Sequence, residues 1–248
     1  MPSVIDLAMR VGRAGGRRAV GVGLARIGSV VSVVTARPCV ALTFDDGPDE
    51  ENTPRVLEVL GAHGASATFF VLLTRVRRSP GLVGEIIRAG HEIALHGPDH
   101  RRLTAFTAAE VTRRLSEARD ELSDLTGTRV RWFRPPYGAQ GLGTALAIRQ
   151  AGLTAVLWGP SLWDWKDADS LLRKERALRG LAPGAIVLAH DGIAGREDGD
   201  ETGQPPHLDR AEWLSEVLGE YTHRGLGARS LGELAATGRL RRRARFVR

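Results

Sequence analysis

From Val40 onward the chain alternates short apolar runs with segments of helical period, and this alternation limits its fold more than any other feature. The strand-like runs are Val40–Phe44, Ala67–Val71, Glu92–Leu95, Arg131–Phe133, Thr154–Leu157 and Ala185–Leu188, with helices expected over 54–63, 80–89, 107–125, 142–151, 168–180 and 207–224. Strand then helix at this spacing predicts an α/β domain with a mainly parallel sheet, because parallel neighbours need crossover connections. Such a sheet is covered on both faces or closes into a barrel. The second helical segment has Ser79 as a candidate N-cap, Pro80 in its first turn and Gly90 at its end. Residues 192–206 (GIAGREDGDETGQPP) read as an exposed loop.

The net charge of +6 is concentrated at the ends. Residues 1–37 carry six arginines against Asp6, and 239–248 carry six more, leaving 23 basic and 28 acidic residues, net −5, between them. A nucleic-acid enzyme would place its basic surface around the active site, so this distribution argues against nucleic acid as a partner. In the first 37 residues, Arg10, Arg13 and Arg17 share one face of an expected helix, and the run 19–36 is apolar apart from Arg26. Arg17–Arg18 before that run and Val34–Thr35–Ala36 after it also fit a secretion signal. Arg26 and the glycines weigh against insertion, since a central arginine costs about 2.5–3.5 kcal/mol. The balance favours a cytoplasmic or membrane-peripheral protein over an exported or anchored one. The basic C-terminus (237–248) reads as a solvated tail or as a contact with anionic lipid. A lone cysteine, Cys39, in an apolar run reads as a core residue.

Polar residues gather at the C-terminal ends of the strand candidates, where α/β barrels build their sites. They are Thr43-Phe44-Asp45-Asp46-Gly47-Pro48, His96-Gly97-Pro98-Asp99-His100, Arg134-Pro135-Pro136-Tyr137, Trp163-Asp164-Trp165 and His190-Asp191. Two histidines four apart lie on one side of a helical turn and can share one ion. A carboxylate added to them leaves positions open, as catalytic metal sites do. Neither pattern carries this alone; their joint occurrence at successive strand ends does.

TFDDGP at 43–48, HGPDH at 96–100, RPPY at 134–137, DW at 164–165 and LAH at 188–190 resemble, in order, the five motifs of the polysaccharide deacetylases, the NodB-homology carbohydrate esterases. ATFF at 67–70, GHEIALH at 90–96 and SLGEL at 230–234 agree with it. The resemblance spans about 38–236 and implies a distorted (β/α) barrel of about seven parallel strands. It also implies one divalent metal ion, most simply Zn²⁺ with Co²⁺ or Ni²⁺ as substitutes, held by Asp46, His96 and His100. Asp45 would be the general base with Arg134 beside it, and the backbone N–H of Tyr137 an oxyanion donor. His190 would be the general acid, oriented by Asp164, with Tyr137, Trp165 and Pro136 against the substrate. The activity implied is metal-dependent removal of an N-acyl group, most simply acetyl, from an amino sugar of a glycan, glycolipid or glycoside.

Two positions depart from the family pattern: Gly97 stands where Ser or Thr is usual, and Ser161 where a further aspartate is. Gly97 lacks a hydroxyl that could brace the ligand loop, so a looser surrounding is expected there. His63, His91, His207 and His223 match no motif and are expected on the surface or in the core. Rival readings are an amidohydrolase of another linear or cyclic amide, such as a deformylase, and a carbohydrate-binding pseudoenzyme.

Overall fold

The computed structural model describes residues 28–200 and 206–246. In chain order come β1 (Ser29–Val34), β2 (Cys39–Asp45), α1 (Asn52–Ala62), β3 (Thr68–Leu72), α2 (Leu73–Arg78), α3 (Pro80–Arg88), β4 (Glu92–Gly97), α4 (Ala108–Thr126) and β5 (Trp132–Phe133). They are followed by α5 (Leu142–Gln150), β6 (Thr154–Ala155), α6 (Ser170–Leu178), β7 (Ile186–His190), α7 (Arg210–His223), β8 (Gly227–Arg229), α8 (Leu231–Thr237) and β9 (Arg239–Arg243). Seven strands form a parallel sheet in the order β6-β5-β4-β3-β2-β7, with β8 paired to the first half of β2. The sheet curls, and its gap between β6 and β7 is bridged rather than zipped. Leu157 donates to the Val30 carbonyl and Val33 to that of Gly184, while Gly159 and Leu162 donate to Ile186 and Leu188. This is the mainly parallel α/β sheet that the strand and helix pattern predicted, curled into the distorted barrel that the family resemblance implied.

The two-residue period of the strands sorts side chains between two cores. Val40, Leu42, Phe44, Phe69, Val71, Leu95, Val187 and Ala189 pack outward under the helices. Cys39, Ala41, Phe70, Ala94, Trp132 and Ile186 point inward, where Val30 and Val33 of β1 and Leu231 and Leu234 of α8 fill the interior. Continuing the inward columns one or two steps brings Thr43 and Asp45 of β2, His96 of β4, Arg134 after β5 and His190 of β7 to the C-terminal rim. All of β2 is buried, as a strand with neighbours on both edges and both faces covered must be.

Three local expectations are corrected. The described part of the apolar N-terminal run is strand β1, not helix, and it pairs antiparallel with β9, so Arg239–Arg243 is sheet rather than solvated tail. Residues 1–27 lie outside the described residues, and the reading of an N-terminal amphipathic helix falls largely there. Ser79 caps nothing with its side chain; its hydroxyl donates to Glu50 instead. Residues 192–200 are not simply an exposed loop either, because Ala194, Asp198 and Asp200 are buried. Asp198, fully enclosed, accepts from Arg75 Nε at 2.8 Å, Arg78 Nη2 at 2.9 Å and Thr74 Oγ1 at 2.8 Å, a set of partners that offsets burying its charge. Among the described residues, no helix is long and apolar enough to cross a membrane.

Candidate active site

A cleft of about 510 Å³ opens at the C-terminal rim, lined by Asp45, Asp46, His96, His100, Tyr137, Trp165 and His190 among others. His96 sits at the last inward-facing position of strand β4 and His100 in the bend after it, so the two histidines do not share a helical turn. They converge all the same, with ring centroids 5.2 Å apart, because the chain reverses at Gly97 (φ +148°). A Cβ at Gly97 would lie 2.6 Å from the Asp99 carbonyl oxygen, so this reversal takes glycine and not the usual hydroxyl residue.

Asp46 Oδ1 is buried without a hydrogen-bond partner and faces His96 Nε2 at 3.2 Å and His100 Nε2 at 3.3 Å. His96 Nδ1 lies 2.8 Å from the Arg134 carbonyl oxygen, which can only accept, so Nδ1 carries the hydrogen and Nε2 the lone pair. Asp200 Oδ2 stands 2.8 Å from His100 Nδ1, a close charge contact behind the ring whose Nε2 faces Asp46. A carboxylate oxygen and two imidazole lone pairs within 4.8 Å of one another are poor company without a cation. The donor set therefore fits a divalent metal ion, with three protein ligands and room for more. Burial opposes the charge on Asp46, but the His96 and His100 imidazoles that face it outweigh burial and hold the carboxyl well below the usual range. Burial also pushes the His100 imidazole down, with His96 adding to that and Asp46 and Asp200 opposing it.

Asp45 is held from behind. Arg134, fully buried, donates from Nη1 to Asp45 Oδ1 at 2.6 Å and to Thr43 Oγ1 at 2.8 Å, and its guanidinium lies 4.2 Å over the Phe70 ring. Across the cleft, His190 Nδ1 meets Asp164 Oδ1 at 2.7 Å, and the His190 backbone N–H donates to Asp164 Oδ2 at 2.6 Å. Burial works against a charged His190, but the Asp164 carboxylate and its hydrogen bond, helped by Asp46 and Asp45, lift it to about 9. Trp165 packs edge-on against His190 at 5.0 Å.

The non-glycine residues with left-handed backbone, among those described, are Asp46 (φ 70°), Tyr137 (φ 59°) and Trp163 (φ 54°). Each lies in or beside the site, at a cost of about 1–3 kcal/mol apiece that the surroundings hold in place. Ser161, buried in place of the family's aspartate, accepts from the Trp163 N–H at 3.2 Å and so braces one of them.

The chain belongs to the polysaccharide deacetylase family. The family's model matches residues 32–156. The peptidoglycan N-acetylglucosamine deacetylase of Listeria monocytogenes is 40% identical over 152 residues, covering 61% of this chain and 32% of its own length. This chain thus spans about a third of that relative. A chitooligosaccharide deacetylase of Bradyrhizobium is 34% identical over 202 residues, covering 81% of this chain and 92% of the relative. The crystal structure of a peptidoglycan N-acetylglucosamine deacetylase in complex with 4-naphthalen-1-yl-N-oxidanyl-benzamide superposes with a TM-score of 0.74 at 26% identity, over 89% of this chain and 98% of that one.

Measured against the motifs of this deacetylase family, the structure brings Asp45, Asp46, His96, His100, Tyr137, Trp165 and His190 to one cleft, with Arg134 and Asp164 behind its wall. Pro136 is buried and does not line the cleft, which corrects its expected contact with substrate. His63 reaches Ser215, His91 packs on Phe69, and neither they nor the exposed His207 line the cleft. Asp200 was hidden in a stretch that reads as an exposed Gly/Asp loop. It supports His100, and it accepts a hydrogen bond from the Tyr137 hydroxyl; burial and this bond push that hydroxyl up to about 12. The one signal for it in the sequence is proximity to His190, ten residues upstream at the end of β7.

Proposed function

We propose that this chain hydrolyses the N-acetyl group of an N-acetylated amino sugar in a glycan, with Zn²⁺ as its metal ion. The observation that carries this reading is the opposition across one cleft of an acid-poor half, Asp46 with the lone pairs of His96 and His100, and a proton-rich half, His190 on Asp164. Asp46, His96 and His100 would hold the ion; one carboxylate and two imidazoles suit zinc, with Co²⁺ or Ni²⁺ as substitutes. When bound, the cation supplies positive charge that favours hydroxide over water and polarises an amide carbonyl. Asp45, kept in register by Arg134, accepts the proton of the attacking water. The backbone N–H of Tyr137 donates to the oxygen on which negative charge develops. His190 then gives its proton to the departing nitrogen, so the sugar leaves as an amine, and Asp164 keeps the imidazole charged and aimed for that transfer. Trp165 gives an apolar wall for the acetyl methyl.

A carbohydrate-binding pseudoenzyme would have no use for a base, an acid and a ligand set kept together. An amidohydrolase of formamido groups or cyclic amides shares the chemistry and differs only in the acyl group. The test is product analysis with N-acetylglucosamine, its oligosaccharides and peptidoglycan fragments. Acetate release that stops with a chelator and returns with Zn²⁺ is expected. Formate release without acetate, or turnover unaffected by chelation, would overturn the proposal.

A further inference from the structure

Residues 192–200 follow β7 and run past the turns that carry Asp46 and His100, yet Ala194 is the one buried apolar side chain among them. So small an apolar anchor does not offset the entropy of ordering the segment. The contacts that hold it are polar, and they converge on Arg75 of α2. α2 is itself fixed to both ligand turns, because the Leu72 N–H donates to the Gly47 carbonyl at 2.9 Å and the Thr74 N–H to that of Pro98 at 3.2 Å.

Arg75 is buried, and each of its three nitrogens has a different partner. Nε donates to Asp198 Oδ2 at 2.8 Å, Nη2 to the Ile193 carbonyl at 2.6 Å and Nη1 to Asp49 Oδ2 at 3.2 Å. Two of these partners belong to 192–200, and the third follows Asp46 in the same turn. A Cβ at Gly192 would lie 2.5 Å from Nη1, so a side chain there would push the guanidinium aside. A buried ion pair adds little net stability, since desolvation cancels most of the attraction. What a planar guanidinium adds is geometry, with three acceptors held around one fork.

The segment held in this way reaches the ligands directly. The Asp198 carbonyl accepts from the His100 N–H at 2.7 Å, and the Ala194 N–H donates to Asp46 Oδ2 at 3.2 Å. Asp200 follows on, its N–H bonded to the Gly195 carbonyl at 3.0 Å and its Oδ2 2.8 Å from His100 Nδ1. Resting on the reading of Asp46, His96 and His100 as ligands to one metal ion, we propose that Arg75 is the positioning residue that holds 192–200 against the ligand turns and sets Asp200 behind His100. Its side chain does not line the cleft; it acts on metal affinity through Asp200.

The test uses the full-length protein carrying Arg75→Gln together with Asp198→Asn, a pair that leaves neither charge buried without its partner. The Zn²⁺ Kd, read by chelator competition, is expected to weaken by about tenfold, as when a group behind a ligand is lost. In an Asp200→Asn background the same pair should weaken it by less than about threefold, because the route through Asp200 is already gone. An unchanged Kd, or the same factor in both backgrounds, overturns the proposal. If the double variant shows no melting transition, Arg75→Lys takes its place with the same expected readings, since a point charge does not reproduce the fork. If the wild-type protein binds no Zn²⁺, the reading of the ligand set fails, and amide hydrogen exchange decides the clamp. Faster exchange at His100 and Ala194 in the variant supports it, and equal rates overturn it.

Discussion

His100 and His190 face the same cleft, and each has a carboxylate oxygen at its Nδ1, Asp200 at 2.8 Å and Asp164 at 2.7 Å. Their proton affinities nevertheless diverge, His100 pushed down and His190 up to about 9. Both pay desolvation; the difference lies in what stands around the pair. His100 has the His96 ring as a like-charged neighbour, and its Nδ1 contact with Asp200 is close without being an aligned hydrogen bond. His190 has an aligned bond to Asp164, a second bond from its own backbone N–H to the same carboxylate, and the charges of Asp46 and Asp45 without another imidazole in competition. A carboxylate partner therefore does not by itself define a histidine's role. The crowding of lone pairs on one side and their absence on the other separates a ligand from an acid.

The largest effect should come from removing the ligand half. His96→Ala or Asp46→Ala is expected to abolish metal retention, measured by elemental analysis, and to cut acetate release by about a thousandfold or more, the several kcal/mol that a metal supplies. Retained metal with retained turnover would break the comparison at its first term. Asp164→Asn tests the other half. The acid must be protonated, so turnover is expected to fall as pH rises through about 9 in the native protein, and in the variant this alkaline limb should move towards the ordinary imidazole value of 6.5. A loss of roughly 10²–10⁴ in kcat at pH 8 is the scale for general acid catalysis. An unmoved limb would show that His190 is not the group titrating.

Asp200→Asn is the finer test, because it removes charge from the ligand side alone. Metal affinity should drop by about 10–100-fold, as for other groups that orient a ligand from behind, with the alkaline limb left in place. The smallest effect concerns Asp191, next to His190, whose buried carboxyl is raised to about 7 by desolvation and by Asp49, against the hydrogen bond from Thr53. A raised folded value means stability fully present below the unfolded value of 3.8 and lost as pH rises to about 7, beyond which a buried charge is a burden. Asp191→Asn should therefore melt with less pH dependence and gain on the order of 1 kcal/mol above pH 7, read by thermal unfolding.

How much of this was legible depends on the length of chain that carries each signal. The core strands read clearly, since β2, β3, β4 and β7 are long enough to show unbroken apolar runs bounded by glycine and polar motifs. Strands β1, β8 and β9 did not: β8 has three residues, and β9 (RLRRR) has arginine where apolar alternation would be the signal. β9 exists because β1 offers it backbone partners, which a reading of side-chain periodicity does not see. The ligand pair was legible for a reason that proved incomplete. HxxxH suggested a helical turn, whereas a strand end and a glycine reversal bring the rings together.

The sequence by itself determined the α/β alternation, the five ordered motifs and hence the family, because each of these is a local pattern of residue types along the chain. Tertiary structure alone decided that Asp200 supports His100, that Pro136 stays out of the cleft, and that the basic C-terminus is fastened by Gln140 beside Trp158. These are contacts between segments up to 105 residues apart, made by groups whose types fit many environments. Only the curled sheet and the segments packed on it bring such groups within hydrogen-bonding distance, and that distance gives each one its chemistry.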